Sequence, residues 1–284
     1  MSITRRDFLA GMLFSGAGFV STDSLFFERS FIETNEFDIG TLTNSSTIRM
    51  LQISDLHLKK LTDNHKMLAD QVNGLNPELI LFTGDIIESE RGLDHLDNLL
   101  QMFNPYAQKA AVMGNWERQY EIHPDKLQCV YENNNGELLI NRTKVFMING
   151  KRLLVTGIDD LLHGGADFEG AIKGVGMEKH HIVLSHCPEY RDHIEKEIKR
   201  INSLRPSDQK LNVTYVFSGH SHGGQVNIMG FAPVLPPGVG RYVRGWFKDT
   251  SPMLYVSKGI GTSTIPVRLG ARAEIALFNY HIAI

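Results

Sequence analysis

Residues 76–85 read NPELILFTGD. After Asn-Pro comes an apolar run of leucine, isoleucine and phenylalanine. It is too short for a helix and stops at a glycine followed by one carboxylate. This is the pattern of a buried strand that ends in a polar turn. The same ending recurs on both sides. Residues 48–58, IRMLQISDLHL, form an earlier apolar run that closes on Asp55 and His57. Residues 109–117, KAAVMGNWE, form a later one that closes on Gly114-Asn115. Between these runs lie two helical patterns. Residues 65–75, HKMLADQVNGL, put Leu68, Val72 and Leu75 on one face, and residues 93–103, LDHLDNLLQMF, do the same with Leu93, Leu96, Leu100 and Phe103. Strand, helix and strand therefore alternate, which predicts an α/β layered fold with its site at the carboxyl ends of the strands.

The second half leans towards β structure. Residues 143–158, TKVFMINGKRLLVTGI, carry Asn149-Gly150 between two apolar runs and predict a hairpin. Residues 180–190 predict a strand ending at Ser185-His186, with His180-His181 merely opening it. Residues 211–220 predict another, ending at His220, and the runs at 252–261 and 271–284 predict C-terminal strands. The sequence IEKEIKR reads as a charged helix face.

Composition narrows the classes. The chain has 284 residues, 42% hydrophobic and 21% charged, which suits a folded protein with a sizeable core. A formal charge of −3 gives no bulk attraction to nucleic acid, so no nucleic-acid binding is expected. Cys129 and Cys187 do not make a disulfide framework and read as two separate buried thiols. Residues 1–22 have a basic start and an apolar run of about a dozen residues, short of the ~20 that span a bilayer. Thr4-Arg5-Arg6-Asp7-Phe8-Leu9 resembles a twin-arginine export signal, serving as signal or anchor. This predicts passage through the twin-arginine export machinery to the periplasm or cell envelope, with a membrane-surface contact. Residues 23–47, including TLTNSST, read as a linker, and residues 48–284 as one domain.

Five strand ends thus carry Asp55-x-His57, Gly84-Asp85, Gly114-Asn115, His186 and Gly219-His220-Ser221-His222. A lone aspartate after a strand is more often a helix cap or turn residue. Five such clusters, each behind an apolar strand, are another matter. The donors are carboxylate, amide and imidazole, with no cysteine, a set suited to Mn²⁺, Fe²⁺ or Zn²⁺. Two ions need about seven ligands, one of them shared, and seven are present.

In this order, D-x-H, G-D, G-N, H and G-H-x-H, the clusters resemble the calcineurin-like metallophosphoesterases, over roughly residues 48–284. TRRDFL, GHSHGGQ and GRYVRG resemble a bacterial branch that contains exported phosphodiesterases and UDP-2,3-diacylglucosamine diphosphatases of lipid A synthesis. The resemblance implies a four-layer α-β-β-α sandwich of two mixed sheets flanked by helices. It implies one ion held by Asp55, His57, Asp85 and His222, and a second held by Asp85, Asn115, His186 and His220, with Asp85 bridging. Asp85, Asn115 and His186 are the implied catalytic residues. His220 and His222 are expected to alternate along extended backbone, so that each reaches a different ion. The implied reaction is attack on a phosphodiester or diphosphate by a hydroxide bridging two ions about 3.5–4 Å apart. The substrate would be a phosphoester or nucleotide diphosphate, in one reading lipid-linked.

The third cluster departs from the family pattern. Trp116 stands where a histidine is usual, and Glu117 follows without the imidazole it would normally orient. Tryptophan can donate a hydrogen bond but cannot protonate a leaving group. Two expectations follow: a substrate whose leaving group needs no general acid, or a catalytically weak metal-bound scaffold. Trp116 is also a candidate substrate contact. So are Arg241 and Arg244 in residues 233–247, PVLPPGVGRYVRGWF, a loop whose cations and aromatics could grip a second phosphate and an apolar group. Arg268, Arg272 and His163 are weaker candidates for the same cleft.

Overall fold

The computed structural model describes residues 32–43, 45–227, 232–249, 251–263 and 267–283. The twin-arginine stretch lies outside them. Two six-stranded mixed sheets face each other. The first has the order β1-β12-β2-β3-β4-β5, built from β1 (Glu33–Gly40), β2 (Ser45–Ile53), β3 (Leu79–Thr83), β4 (Gln108–Val112), β5 (Gly136–Leu138) and β12 (Glu274–Ala283). The second has the order β10-β11-β9-β8-β7-β6, from β6 (Arg142–Ile148), β7 (Lys151–Gly157), β8 (His181–Leu184), β9 (Val213–Ser218), β10 (Gly245–Phe247) and β11 (Met253–Val256). Helices α1 (Asp63–Leu75), α2 (Gly92–Leu100), α3 (Asn115–Gln119) and α4 (Pro124–Asn133) follow strands of the first sheet. Helices α5 (Phe168–Ala171) and α6 (Tyr190–Leu204) belong to the second.

Alternation along the strands explains the layers. In β3, Leu79 and Leu81 face the inter-sheet core with Phe146, Val155, Leu184 and Phe217. Ile80 and Phe82 face the other way, onto Leu68, Val72, Leu96, Leu99 and Leu127 of the helices. A third core joins Val183, Val216 and Val256 to Phe168, Ile194 and Ile201. A strand buried on both faces must be apolar or have its polar groups paired, and β3 is apolar up to Thr83, whose hydroxyl accepts from Gln52. The expected four-layer α-β-β-α sandwich is the fold. The Asn149-Gly150 hairpin is present, pairing Ile148 with Lys151.

Two expectations need correcting. Residues 33–40, read as linker, form β1, which pairs in parallel with β12 over its whole length. Only Ile39 in it is buried, so its apolar content is low and main-chain pairing holds it in place. β2 likewise starts at Ser45, inside the segment read as linker. Cys187 is buried as expected, but Cys129 is exposed, and both are free.

Strands β2, β3 and β4 run parallel in one sheet, and β8 and β9 run parallel in the other. Their carboxyl ends carry all five clusters. The fold thus gathers positions from both halves of the chain into one locus.

Candidate metal centre

The loop after β2 interlocks with the loop after β3. The Asp55 N–H donates to the Gly84 carbonyl at 3.1 Å, and the His57 N–H to the Asp85 carbonyl at 3.0 Å. The loop after β9 is tied to the first of these. The His220 N–H donates to both Asp55 carboxylate oxygens, at 3.0 and 3.1 Å. Gly84 sits at φ +88°, and a Cβ there would lie 2.6 Å from His186 Nδ1 and 2.8 Å from the Gly114 backbone. Only glycine lets three loops meet at this point.

Two triads of buried donors result. Asp55, His57 and His222 form one, and Asp85, His186 and His220 the other. In the first, His57 Nε2 stands 3.1 Å from His222 Nε2, and His222 Nε2 3.6 Å from Asp55 Oδ1. In the second, His186 Nε2 stands 3.2 Å from Asp85 Oδ2, 3.2 Å from His220 Nδ1 and 3.1 Å from Asn115 Oδ1. Asp85 also faces the first triad, with Oδ2 3.9 Å from His57 Nε2. All seven expected ligands converge, and Asp85 stands between the groups.

The outer nitrogens of three histidines are engaged, which aims the inner ones. His186 Nδ1 faces the Thr83 carbonyl at 2.8 Å, and His220 Nε2 faces the Pro237 carbonyl at 2.6 Å. His57 Nδ1 faces Glu88 Oε1 at 3.0 Å, and Glu88 in turn pairs with Lys59 at 2.8 Å. Partners of this kind fix ring orientation and raise ligand basicity.

Electrostatics suit two of the imidazoles to this use and oppose it at a third, from which a cation would have to displace a proton. Burial, with the charge of His186 beside it, pushes His220 down to about 4. Burial and the neighbouring His57 and Arg268 put His222 well below its ordinary value. Both are therefore neutral imidazoles, the form that binds metal. Burial opposes charge on His186, but Asp85 outweighs it and draws a proton onto the ring, raising its pKa to about 10. Burial also opposes charge on Asp85, yet His186 and His57 hold its carboxyl below the usual carboxylate range. Oxygen and imidazole donors this close together, two of the rings aiming nitrogens at one point, fit divalent cations.

The backbone differs from expectation. His220 and His222 do not lie on extended chain; their φ angles are +70° and +50°. Asp55, His57 and Asp85 share the left-handed region at +50°, +51° and +55°. Each turn, rather than strand alternation, points the paired side chains to one place.

Trp116 borders the two triads. Its main-chain N–H donates to Asp85 Oδ1 at 2.8 Å, and its ring meets His57 edge-on at a centroid distance of 5.2 Å. It lines a cavity of about 530 Å³ together with Asp85, Asn115, His220, His222 and Val234. Glu117 has a different role from the one the family pattern implies. It is 1% exposed, and its carboxylate accepts the backbone N–H groups of Asp85, Ile86, Ile87 and Gly114.

Comparison with known proteins gives the family. The model for calcineurin-like phosphoesterases matches residues 48–224. The chain belongs to that family. The phosphoesterase is 28% identical to the uncharacterized metallophosphoesterase YkuE of Bacillus subtilis strain 168, covering 98% of this chain and 97% of that one. It is 27% identical to the uncharacterized protein YpbG of the same organism, covering 86% and 85%. Among solved structures it resembles a 5'-nucleotidase precursor from Thermus thermophilus, at 15% identity and a TM-score of 0.42, over 83% of this chain and 55% of that one. The protein is thus a metal-dependent phosphoesterase with two candidate metal sites.

Other candidates of the sequence lie elsewhere. Arg241 is exposed and pairs with Asp249 at 2.9 Å; Arg244 is exposed and donates to the Gly270 carbonyl at 2.6 Å. Neither lines the cavity. Trp246 packs on Phe37, Tyr255 and Phe278, and Tyr242 is buried. It is the first part of the 233–247 loop, Pro233, Val234 and Pro236, that borders the metal centre. Arg268 is fully buried beneath His222 and donates to the carbonyls of Ala271 and Lys258. His163 is exposed and off the cavity. Glu88 and the loop-holding role of Glu117 had no reading from sequence; an acid three residues beyond Gly-Asp was the available signal for Glu88.

Proposed function

We propose that the phosphoesterase hydrolyses phosphodiester or diphosphate bonds at two divalent cations, Mn²⁺, Fe²⁺ or Zn²⁺. Asp55, His57, Asp85 and His222 would hold one cation, and Asp85, Asn115, His186 and His220 the other. The observation that carries the reading is the pair of buried triads facing one cavity. When bound, such cations polarise phosphoryl oxygens and make water a nucleophile at neutral pH. The Asp55 and Asp85 carboxylates balance their charge, and the bonds from Thr83, Glu88 and Pro237 keep the imidazoles aimed. The water oxygen bonds to phosphorus, the bond to the leaving oxygen breaks with its electron pair on that oxygen, and the water proton goes to solvent.

Among the described residues, every titratable group lining the cavity belongs to the triads. None within this cavity is left over to protonate the leaving oxygen. This supports substrates with weakly basic leaving groups, such as diphosphates and activated esters, over plain alkyl esters. The test is purified protein loaded with Mn²⁺ and given bis-p-nitrophenyl phosphate. Absence of turnover with any of Mn²⁺, Zn²⁺, Fe²⁺ or Mg²⁺ would overturn the hydrolase reading and leave the binding scaffold. The narrower reading as a UDP-2,3-diacylglucosamine diphosphatase rests on sequence resemblance, and depletion with lipid A precursor accumulation tests it.

We also infer twin-arginine export from Arg5 and Arg6. Changing both to lysine retains the protein in the cytoplasm; normal export of that variant would refute the assignment.

A further inference from the structure

Asn115 stands on α3, a helix of five residues. One turn of helix is too short to hold its own shape. Among the described residues the Asn115 side chain meets no polar partner but His186, with Oδ1 3.1 Å from Nε2. Where that amide points therefore depends on what grips the helix. Two grips reach the first sheet: the Trp116 N–H on Asp85, and the Glu117 carboxylate on the turn after β3. A third reaches the second sheet. Arg118 Nε donates to Asp159 Oδ1 at 2.8 Å, and Nη2 lies 2.7 Å from Oδ2. Such a two-pronged pair sets direction as well as distance.

Asp159 is itself held. It follows β7 by two residues, and its side chain is 7% exposed. Its carboxylate also accepts the N–H groups of Asp160 at 2.8 Å and Gly165 at 3.0 Å. Asn141 Oδ1 accepts its main-chain N–H at 3.0 Å. The next residue, Asp160, is fully buried and accepts from the Cys187 thiol at 3.4 Å, beside His186. One turn of the second sheet thus backs both members of the Asn115–His186 pair.

We propose that Asp159 is a positioning residue of the metal centre, which through Arg118 fixes Asn115 against His186. The proposal rests on the two-cation reading above and adds a residue outside the five ligand clusters. Strand ends carry Asp85 and His220 directly, whereas Asn115 hangs from a single turn between the sheets. Grips on the first sheet alone would leave that turn free to pivot. The Arg118–Asp159 fork stops the pivot from the other side.

The test is titration of the purified protein with Mn²⁺, followed by calorimetry and by electron paramagnetic resonance. The wild type takes up two ions. Arg118→Met weakens one of the two steps about tenfold or more, the usual cost of losing a group that orients a ligand, and leaves the other unchanged. Methionine keeps the length of the side chain and touches nothing that holds the Asp159 turn together. At a Mn²⁺ concentration that fills both sites of the wild type, the spectrum of a coupled pair gives way in Arg118→Met to that of a single ion. Asn115→Ala weakens the same step, and adding Arg118→Met to it costs nothing further. An unchanged step in Arg118→Met, equal weakening of both steps, or a further loss on top of Asn115→Ala would each overturn the proposal. Two ions in the wild type with an indifferent Arg118→Met removes the clamp and spares the two-cation reading. A wild type that binds no Mn²⁺ removes both.

Discussion

Glu117→Gln is the sharpest probe of how the metal centre is held. The Glu117 carboxylate gathers four backbone N–H groups: those of Asp85 and Gly114 at 2.9 Å, of Ile87 at 3.1 Å, and of Ile86. Burial and the nearby Asp85 charge push its pKa up, while the N–H donors favour the ionised form. Four donors aimed at two oxygens decide for the carboxylate at neutral pH. Glutamine keeps one oxygen and turns an NH₂ towards two of the donors. Two charge-assisted bonds vanish and two buried N–H groups are orphaned. At about 1.5–3 kcal/mol per bond, the loss is about 3–6 kcal/mol. For a chain of this size that lowers the Tm by roughly 10 °C. Because the released N–H groups belong to the turn that bears Asp85, Mn²⁺ affinity falls as well. Thermal unfolding and isothermal titration with Mn²⁺ give the two numbers. A Tm within about 1 °C of wild type with unchanged affinity would mean that Glu117 is protonated, and the reasoning would be refuted.

Glu88→Gln removes the carboxylate behind His57, 3.0 Å from its Nδ1, and weakens cation binding at the Asp55-His57-His222 group about 10- to 100-fold, read by competition with a chelator. Lys109→Met stabilises the fold by about 1–3 kcal/mol near neutral pH. Lys109 is 1% exposed, and among the described residues its ammonium donates only to the Ala107 carbonyl, at 2.9 Å. Burial lowers its pKa from 10.5 to about 8, so the folded state sheds the proton first and wild-type stability climbs between these values. The advantage of methionine is therefore full below pH 8 and shrinks above it; urea unfolding at pH 7 and pH 10 shows whether it does. Trp116→His favours alkyl over nitrophenyl phosphodiesters in kcat/KM by up to about 10²-fold, the low end of general-acid help. Glu117 is already occupied and cannot orient the new ring, and an unchanged ratio would show that leaving-group basicity does not explain the tryptophan.

The strands that carry the ligands were legible because each is buried on both faces and ends abruptly. Leu79–Thr83 can be nothing else, and Asp85 must follow it. The hairpin at Asn149-Gly150 was legible for its turn chemistry. β1 was not, because ETNEFDIG buries almost no side chain and is held by pairing with β12, a partner some 240 residues away. The seven candidate ligands were legible from their places at strand ends and from the resemblance of their order to the family's motifs, but not what stands behind them. Glu88, Glu117 and Arg268 act through backbone groups or rings that meet only once the sheets are stacked. The 233–247 loop shows the same limit. Its arginines looked like the functional half, yet Arg241 finds Asp249 and Arg244 finds Gly270, while Val234 faces the cleft.

Asp55, His57, Asp85, His220 and His222 all sit at positive φ. For residues with a Cβ that costs roughly 1 kcal/mol apiece, so these five positions lean against the fold by about 5 kcal/mol. Glycine at the three histidines would relax the backbone, whereas at Asp55 or Asp85 it would also orphan the N–H groups of His220 and Trp116. A laboratory that evolves this protein for heat resistance alone, with no demand on its chemistry, should find its winners among the ligands themselves. Such a selection would dismantle the metal centre while improving the scaffold around it. The two aspartates also tie loops together, through the N–H groups of His220 and Trp116, but folding gives little reason for histidine at the other three turns, and that reason has to lie in what they bind.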